Sequence, residues 1–420
     1  MIRFKKVLAN RSFFLLWLSQ IFSQFGDRII QLSLVAMVYR IAPGSTFQLA
    51  KTLTFTIIPV FLIGPVAGVY VDRWDRKKTL FICDFLKAAL VFSIPFVVFS
   101  KQALPLAYVI IFVIYCIIRF YVPAKLSLIP NLVEEEDLLV TNSLANITGM
   151  IAAALIGVAG IVIDAFGAKA GFNLACATFL VSAIMIIFIR AKASDQAQKE
   201  TILDVGREVI EVIKKSVAAE VKEGVAYLAN HKDMRPIMQV LFILGASFGV
   251  ISVVSIGFVQ DALGTVTKDV GFLVMFVGLG LFIGSLLYGR YGHKFSLIKE
   301  IFFSVGLSGL AIIAFAYILN TYPKPSFAYG LSFLFGICAS PILVASYTLV
   351  HKVSSEDMRG KVFSNLDIVL HFAFVVCMLL SGKLADYIDR FYILVVTGCI
   401  LVIIGVIGTM RGKDTLVAHD

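Results

Sequence analysis

Twelve long apolar segments, separated by short charged or Gly- and Pro-containing stretches, dominate the sequence. They cover approximately residues 13–39, 47–71, 79–99, 104–128, 141–163, 170–189, 237–260, 270–289, 297–319, 326–350, 362–383 and 391–410. Most of them contain about 20 to 27 residues, and a helix of about 20 residues crosses the hydrocarbon core of a bilayer. The sequence therefore predicts an all-α membrane protein with twelve transmembrane helices.

The composition agrees with a membrane location. Of the 420 residues, 59% are hydrophobic and 15% are charged, whereas soluble proteins have about 25% charged residues. The sequence contains neither the alternating ten-residue segments of a transmembrane barrel nor a phosphate-binding loop or metal-ligand spacing. We therefore expect no enzymatic activity, no cofactor, no metal site and no nucleic-acid partner.

The distribution of Lys and Arg predicts the orientation of the helices. With both termini inside, the inner loops hold roughly three times as many Lys and Arg residues as the outer loops. The positive-inside rule then predicts a multi-pass protein of the plasma membrane, here a bacterial inner membrane, with both termini in the cytoplasm.

One long polar stretch, residues 191–235, divides the segments six and six. Apolar residues recur in it every three or four positions, as in Val205, Val209 and Ile213, which predicts an amphipathic helix. This helix lies on the inner membrane surface or serves as a regulatory docking site. We expect a six-helix bundle over residues 1–190, this connection over 191–235, and a second six-helix bundle over 236–420.

The two halves are similar at corresponding positions. GPVAGVYVDRWDRKKTL connects the second apolar segment to the third, and GSLLYGRYGHKFSLI connects the eighth to the ninth. Both end a helix at glycines and turn through basic residues into the next helix. An internal repeat of six helices is typical of transporters in which two bundles move about a central site, so the sequence predicts two pseudo-symmetric bundles and alternating access.

The stretch from Gly68 to Lys78 resembles the G-x-x-x-D-R-x-G-R-K-K loop of the major facilitator superfamily, with Asp75 at a position where Gly is usual. SQFGDRIIQLSL and VPAKLSLIPNLVEEEDLLVTNSL resemble bacterial macrolide- and siderophore-type exporters, and Pro123 to Lys125 is also similar to lysophospholipid transporters. The resemblance implies the major facilitator fold. It also implies a cytoplasmic latch, the alternative being simple positive-inside determinants, formed by Gly68, Asp72, Arg73, Arg76 and Lys77.

Polar residues within the apolar segments are candidates for function, because a charge in hydrocarbon is costly. In the first segment, Gln20, Gln24, Asp27 and Gln31 follow one another at spacings that place them on one side of a helix. Such a stripe must face protein or water. We expect a substrate cavity with a basic inner part, lined by Gln24, Asp27, Gln31, Lys87, Arg119 and Lys125. For Lys87, pairing with Asp84 one turn earlier is the alternative.

Three residues are candidates for proton coupling. Asp27 is the first, and its alternatives are direct binding of a substrate or a structural ion pair. Asp367 and His371 lie four residues apart on one face of the eleventh segment, and a histidine titrates near neutral pH. Packing against the other bundle is the alternative for this pair.

These features predict a secondary active transporter, a monomer, that exports an amphipathic drug-like or siderophore-like molecule by alternating access and is coupled to protons. Its partners would be membrane lipids, the transported molecule and protons. A lysophospholipid flippase, with a lysolipid as substrate, is the second hypothesis. A membrane sensor or scaffold that does not transport is the third.

Overall fold

The structure, a computed structural model, describes residues 2–101, 104–190, 235–291, 296–353 and 359–411. One short helix and twelve long ones occur in these ranges. They are α1 Ile2–Ala9, α2 Arg11–Ile41, α3 Thr46–Arg73, α4 Arg76–Lys101, α5 Leu104–Leu128, α6 Leu138–Phe166, α7 Ala168–Ile187, α8 Arg235–Leu263, α9 Lys268–Tyr291, α10 Leu297–Thr321, α11 Pro325–Val353, α12 Arg359–Leu384 and α13 Arg390–Arg411. The amphipathic helix predicted within residues 191–235 lies outside the described residues, apart from the start of α8.

The long helices coincide with the predicted segments to within a few residues at each end. In the described part of the chain, ten of them are long and apolar enough to cross a membrane. The other two, α6 and α12, contain the shorter apolar stretches Leu155–Phe166 and Ile368–Leu384. The predicted all-α membrane fold with twelve long helices is confirmed.

The start of the chain differs from the prediction. A separate helix, α1, precedes the first long helix, and Asn10 lies between them. The Asn10 Oδ1 atom accepts the backbone N–H groups of Ser12 and Phe13 at 3.1 and 3.2 Å, which caps α2. Lys6 contacts Glu134 at 2.5 Å and Asp137 at 3.1 Å, and the hydrogen bond to Glu134 is the main cause of a raised pKa of Lys6.

The described residues form two compact units. Unit 1 comprises residues 2–37 and 52–190, and unit 2 comprises residues 38–51 and 235–411. In unit 1, α4 packs against α5 and α7, and in unit 2, α8 packs against α12, α9 against α11 and α10 against α13. Helix α3 therefore begins in unit 2 and continues into unit 1.

Asp75, which occupies the position where the resembled family has Gly, determines where α4 begins. Its Oδ1 atom accepts the backbone N–H of Lys78 at 2.9 Å, and its carbonyl oxygen accepts the N–H and the hydroxyl of Thr79 at 2.9 Å. These are the hydrogen bonds of a helix N-cap. The substitution thus exchanges a flexible residue for a capping residue.

Candidate functional site

The most unusual side chain of unit 1 is Lys87, a lysine with no exposed surface in the middle of an apolar helix. Its Nζ atom lies 2.9 Å from Asp84 Oδ1, one turn earlier on α4, and 3.3 Å from Asp27 Oδ1 on α2. The predicted Asp84–Lys87 pair is therefore present, and Asp27 is added to it. A buried cation needs such partners, because removing it from water costs several kcal/mol.

Two serine hydroxyls complete the hydrogen bonds of Asp84. Ser23 on α2 accepts a hydrogen bond from Lys87 at 2.8 Å and donates one to Asp84 Oδ1 at 2.8 Å. Ser182 on α7 donates to Asp84 Oδ2 at 2.6 Å. Both carboxylate oxygens of Asp84 are thus satisfied, and its side chain is fully buried. We call these five residues, Ser23, Asp27, Asp84, Lys87 and Ser182, the Lys87 network.

Two aromatic rings close the space around the ammonium group. Lys87 Nζ lies 4.7 Å from the ring centroid of Tyr121 and 4.2 Å from that of Phe179. A cation over an aromatic face is attracted by the ring quadrupole. The rings also exclude water, so Lys87 interacts with protein groups instead of lining an open cavity.

Asp27 is the charged member of the network that keeps exposed surface, with 23% of its side chain exposed against none for Asp84 and Lys87. Gly26, the residue before Asp27, lies where α2 meets α7. A Cβ atom on Gly26 would lie 2.6 Å from Thr178 Oγ1 and 2.8 Å from the ring of Phe179, so only glycine lets α2 approach α7 this closely.

The charges of the network do not balance when all three groups are ionised. Within the network two carboxylates face one ammonium, which leaves one net negative charge, and Arg28, the next residue on α2, acts on Asp27 from outside the network. Protonation of Asp27, or binding of one cation to it, would make the network neutral. The exposed carboxylate therefore gives this site a chemical reason to bind a proton or a cationic group.

Three of the predicted cavity residues lie near this carboxylate or on the same helix. The Tyr115 hydroxyl lies within electrostatic range of Asp27, Arg28 and Arg119. Arg28 donates a hydrogen bond to Gln31 Oε1 at 3.2 Å. Gln24 is half-buried beside α6, where a Cβ atom on Gly149 would lie 3.5 Å from its Oε1 atom. Lys125 is half-buried in the last turn of α5.

Several predicted functional residues are only partly accounted for. The surroundings of Gly68 and the side chains of Asp72 and Asp367 are not among the described parts of the structure, and His371 is half-buried on α12. Arg73 is half-buried at the end of α3. Arg76 donates to the carbonyl oxygen of Ser127 at 3.1 Å and Lys77 to that of Ile187 at 2.8 Å, which ties the start of α4 to the ends of α5 and α7. The latch and the Asp367–His371 pair stay predictions.

Twelve long apolar helices in two compact units, with charged groups buried among them, are typical of a membrane transporter. The profile of the Major Facilitator Superfamily matches residues 16–332 and 237–415, and the chain belongs to this family. The family is one of transporters, so a transport function is favoured over an enzymatic one.

Relatives match nearly the whole chain. Macrolide efflux protein A of Streptococcus pyogenes is 23% identical, over 95% of this chain and 95% of its own. The MFS-type transporter YkuC of Bacillus subtilis (strain 168) is 22% identical, over 92% and 89%. Among solved structures, a POT family transporter in complex with 5-aminolevulinic acid has a TM-score of 0.72 at 14% identity and 97% coverage of both chains, which indicates a shared fold.

Proposed function

We propose that the protein is a proton-coupled efflux transporter of the bacterial inner membrane, with both termini in the cytoplasm, and that it exports an amphipathic small molecule. The similarity to macrolide efflux protein A over 95% of both chains supports efflux. The excess of Lys and Arg in the loops assigned to the inner side supports the orientation.

The observation that carries the proposal is the partial exposure of Asp27 in an otherwise sealed network. Asp84 is satisfied by Lys87, Ser23 and Ser182. Asp27 has the longer contact to Lys87, at 3.3 Å, and the exposed surface. Asp27 is therefore the carboxylate that can exchange its partner without dismantling the bundle.

The charge balance provides a mechanism for exchange. An ionised, empty network carries a net negative charge, on which Arg28 beside Asp27 acts less strongly than Lys87 does, and a charge without a full counter-charge within a membrane is costly. With either a proton or a cationic part of the substrate on Asp27, the network is neutral and reorientation is less costly. Proton and substrate then compete for the Asp27 carboxylate. Movement of protons into the cell therefore drives movement of the substrate out of it.

Replacement of Asp27 by Asn tests this mechanism. Asn imitates the protonated carboxyl group, so in vesicles containing the purified protein we expect loss of the response to a pH gradient. Because Asn cannot pair with a cationic part of the substrate, exchange of a radiolabelled macrolide without the gradient should be weaker than in the wild-type protein, and it should no longer depend on pH. Full gradient dependence in the Asp27→Asn variant would contradict the coupling role of Asp27.

The matched control is Asp389→Asn. Asp389 is exposed and caps α13 through a 2.8 Å hydrogen bond from the backbone N–H of Phe391, and Asn is an equally good N-cap residue. This variant also removes one negative charge, but at a position that is not part of the Lys87 network. It should keep both transport and its gradient dependence.

A lysophospholipid is the second candidate substrate, and Lys125 is the residue that favours it. Lys125 is half-buried in the last turn of α5, where its ammonium group could pair with a phosphate. If lysophosphatidylethanolamine moves across the vesicle membrane and a macrolide does not, and if Lys125→Gln abolishes that movement, this candidate replaces the first. Failure to move either compound would favour a sensor or scaffold.

A further inference from the structure

Arg28, the residue after Asp27, is a charged group that lies outside the Lys87 network. It lies in the interior of α2, about 25 Å from the start of this spanning helix and about 20 Å from its end at a rise of about 1.5 Å per residue. An arginine keeps its proton in a protein, so a full positive charge is held at this depth. Because such a charge is costly in a membrane, its surroundings indicate what it binds.

The hydrogen-bond partner of Arg28 among the described residues is neutral. Its Nη1 atom donates to Gln31 Oε1 at 3.2 Å. No carboxylate oxygen in the described part of the chain lies within 4.0 Å of the guanidinium nitrogens. The Nε and Nη2 atoms donate to no described residue and are not buried, and the residue as a whole is half-buried. Arg28 therefore offers accessible donors to a ligand.

Gln31 draws this guanidinium group towards the face of α2 that carries Asp27. Residues 27 and 31 are four positions apart and so lie on one face of the helix. Arg28 is displaced from Asp27 by about 100° around the helix, but its hydrogen bond to Gln31 turns the guanidinium group back. The Tyr115 hydroxyl on α5 lies within electrostatic range of both charges. The two opposite charges are therefore neighbours on one side of α2.

Asp27 and Arg28 nevertheless form no ion pair with each other. Asp27 is held by Lys87 at 3.3 Å and Arg28 by Gln31 at 3.2 Å, and both side chains keep exposed surface. A carboxylate and a guanidinium group held next to each other but apart match a ligand that carries an ammonium group and an oxyanion. A ligand with only a cation would neutralise Asp27 and so remove a negative charge that acts on Arg28.

We infer that Asp27 and Arg28 together bind a zwitterionic part of the ligand, with its ammonium group at Asp27 and its carboxylate or phosphate at Arg28. The fork of guanidinium nitrogens matches the geometry of such oxyanions, and hydrogen bonds between charged groups are the strong ones. The inference rests on the proposed function, because it names the class of substrate that exchanges at Asp27. A substrate with a single positive charge is then a poorer ligand than a zwitterion.

Three dipeptide probes of nearly equal size test the inference. Leucylleucine is a zwitterion at neutral pH, its C-terminal amide is a cation and its N-acetyl derivative is an anion. Isothermal titration calorimetry measures their affinities for the full-length protein in nanodiscs of phosphatidylglycerol, which contain no zwitterionic headgroup, with empty nanodiscs as the blank. One charge-assisted hydrogen bond is worth about 10- to 100-fold in affinity. The zwitterion should therefore bind at least about 10-fold more tightly than either of the other two probes.

Two substitutions assign the charges of the ligand to their partners. Arg28→Gln should lower the affinity for leucylleucine to that for the amide, while the affinity for the amide itself should not fall. Asp27→Asn should lower the affinity for leucylleucine to that for the N-acetyl derivative, which should not bind more weakly than before. Arg11→Gln is the matched control, because it removes the same charge as Arg28→Gln from the exposed first residue of α2. It should change none of the three affinities.

Two results would overturn the inference: equal affinity of the wild-type protein for leucylleucine and its amide, or a folded Arg28→Gln variant that still prefers the zwitterion. The first comparison needs no variant, so it decides even if Arg28→Gln does not fold. Competition by lysophosphatidylethanolamine then distinguishes the source of the zwitterion. If it displaces leucylleucine, the site also accepts a lipid headgroup, and if it does not, the site is restricted to water-soluble zwitterions.

The coupling proposal fails or stands separately. If transport by Asp27→Asn keeps its full gradient dependence while Arg28→Gln loses the preference for the zwitterion, the coupling role of Asp27 is wrong and the zwitterion site stands. If Asp27→Asn loses the gradient dependence and Arg28→Gln binds all three probes like the wild-type protein, the zwitterion site alone is removed.

Discussion

Asp27 and Asp84 belong to one network but have different roles. Asp84 is fully buried and hydrogen-bonded on both oxygens, so it stabilises Lys87 permanently. Asp27, on α2, contacts the same Lys87 ammonium group, and part of its side chain is exposed. The two residues are of the same type, so it is the difference in burial and in hydrogen-bond partners that gives them different roles.

Lys87→Met should destabilise the protein by about 3–5 kcal/mol, because it leaves the buried carboxylate of Asp84 without its counter-ion. In the double variant Asp84→Asn/Lys87→Met the fully buried carboxylate is gone and only the partly exposed Asp27 has lost its counter-ion, so most of the lost stability should return. Thermal unfolding of the detergent-solubilised variants measures both effects. A double variant less stable than the single one would mean that packing, not charge, controls this site.

Only part of the Lys87 network could be predicted from the sequence. Asp84 and Lys87 are three residues apart, so their pairing follows from helix geometry. Ser23 and Ser182 are 61 and 98 residues away from Asp84. A serine in an apolar segment has no local feature that reveals such a partner, and the contact arises only when α2, α4 and α7 pack together.

At the level of the helices, small residues determine how closely α8 and α12 pack. A Cβ atom on Gly245 would lie 2.2 Å from the carbonyl oxygen of Leu370, and one on Gly249 would lie 2.2 Å from that of Phe374. The two glycines are four residues apart, the spacing that lets membrane helices approach closely. The length of the two apolar segments predicted both helices. It did not predict that they contact each other, because the length of a segment does not show which face of the helix carries the small residues.

Gly249→Ala should therefore force α8 and α12 apart and lower the unfolding temperature by several degrees, since overpacking typically costs about 1–3 kcal/mol. Gly278→Ala is the matched control on α9, where a Cβ atom would meet nothing within 4 Å. Alanine favours a helix over glycine by up to about 1 kcal/mol, so this control should be neutral or slightly stabilising. A similar loss in both variants would contradict the packing argument.

The beginning of α3 is held by the loop between α12 and α13. Asp386 accepts the backbone N–H groups of Thr46 at 2.7 Å and Phe47 at 3.2 Å. Arg390 donates to Thr46 Oγ1 at 2.9 Å and pairs with Asp261. These contacts explain why residues 38–51 group with unit 2.

Asp386→Ala should loosen the first turn of α3. The loss of a helix cap costs about 0.5–2 kcal/mol, so amide hydrogen exchange at residues 46 and 47 should become faster, while the middle of α3 stays protected. Asp386→Asn keeps an acceptor oxygen and should have a smaller effect. Unchanged exchange in the Ala variant would show that the Ser45 hydroxyl, which accepts the N–H of Gln48, is a sufficient cap.

On the scale of the whole molecule, the twelve long helices could be predicted from the sequence, but the short helix α1 could not. Twelve apolar segments of spanning length define twelve helices, because each must satisfy its own backbone hydrogen bonds in a bilayer. Helix α1 was not predicted because it is short and polar, like the segments that commonly precede a transmembrane helix. Its position depends on Lys6 and Asn10, which contact residues more than 120 positions away.

An even number of spans predicts that both termini are on one side, and the Lys and Arg distribution predicts that this side is the cytoplasm. Alkaline phosphatase, which is active only outside the cytoplasm, should be inactive when fused after residue 411. A fusion within residues 42–45, between α2 and α3, should be active. Activity at the C-terminal position would contradict either the helix count or the orientation.

The Lys87 network also limits how the sequence can change over generations. Three helices contribute to it: Ser23 and Asp27 lie on α2, Asp84 and Lys87 on α4, and Ser182 on α7. A single replacement of Lys87 leaves the buried carboxylate of Asp84 without its counter-ion, and a single replacement of Asp84 leaves Lys87 with only its longer contact to Asp27, so selection removes most such intermediates before a second replacement can compensate. We therefore expect descendants of this protein to inherit the pair together or to lose it together.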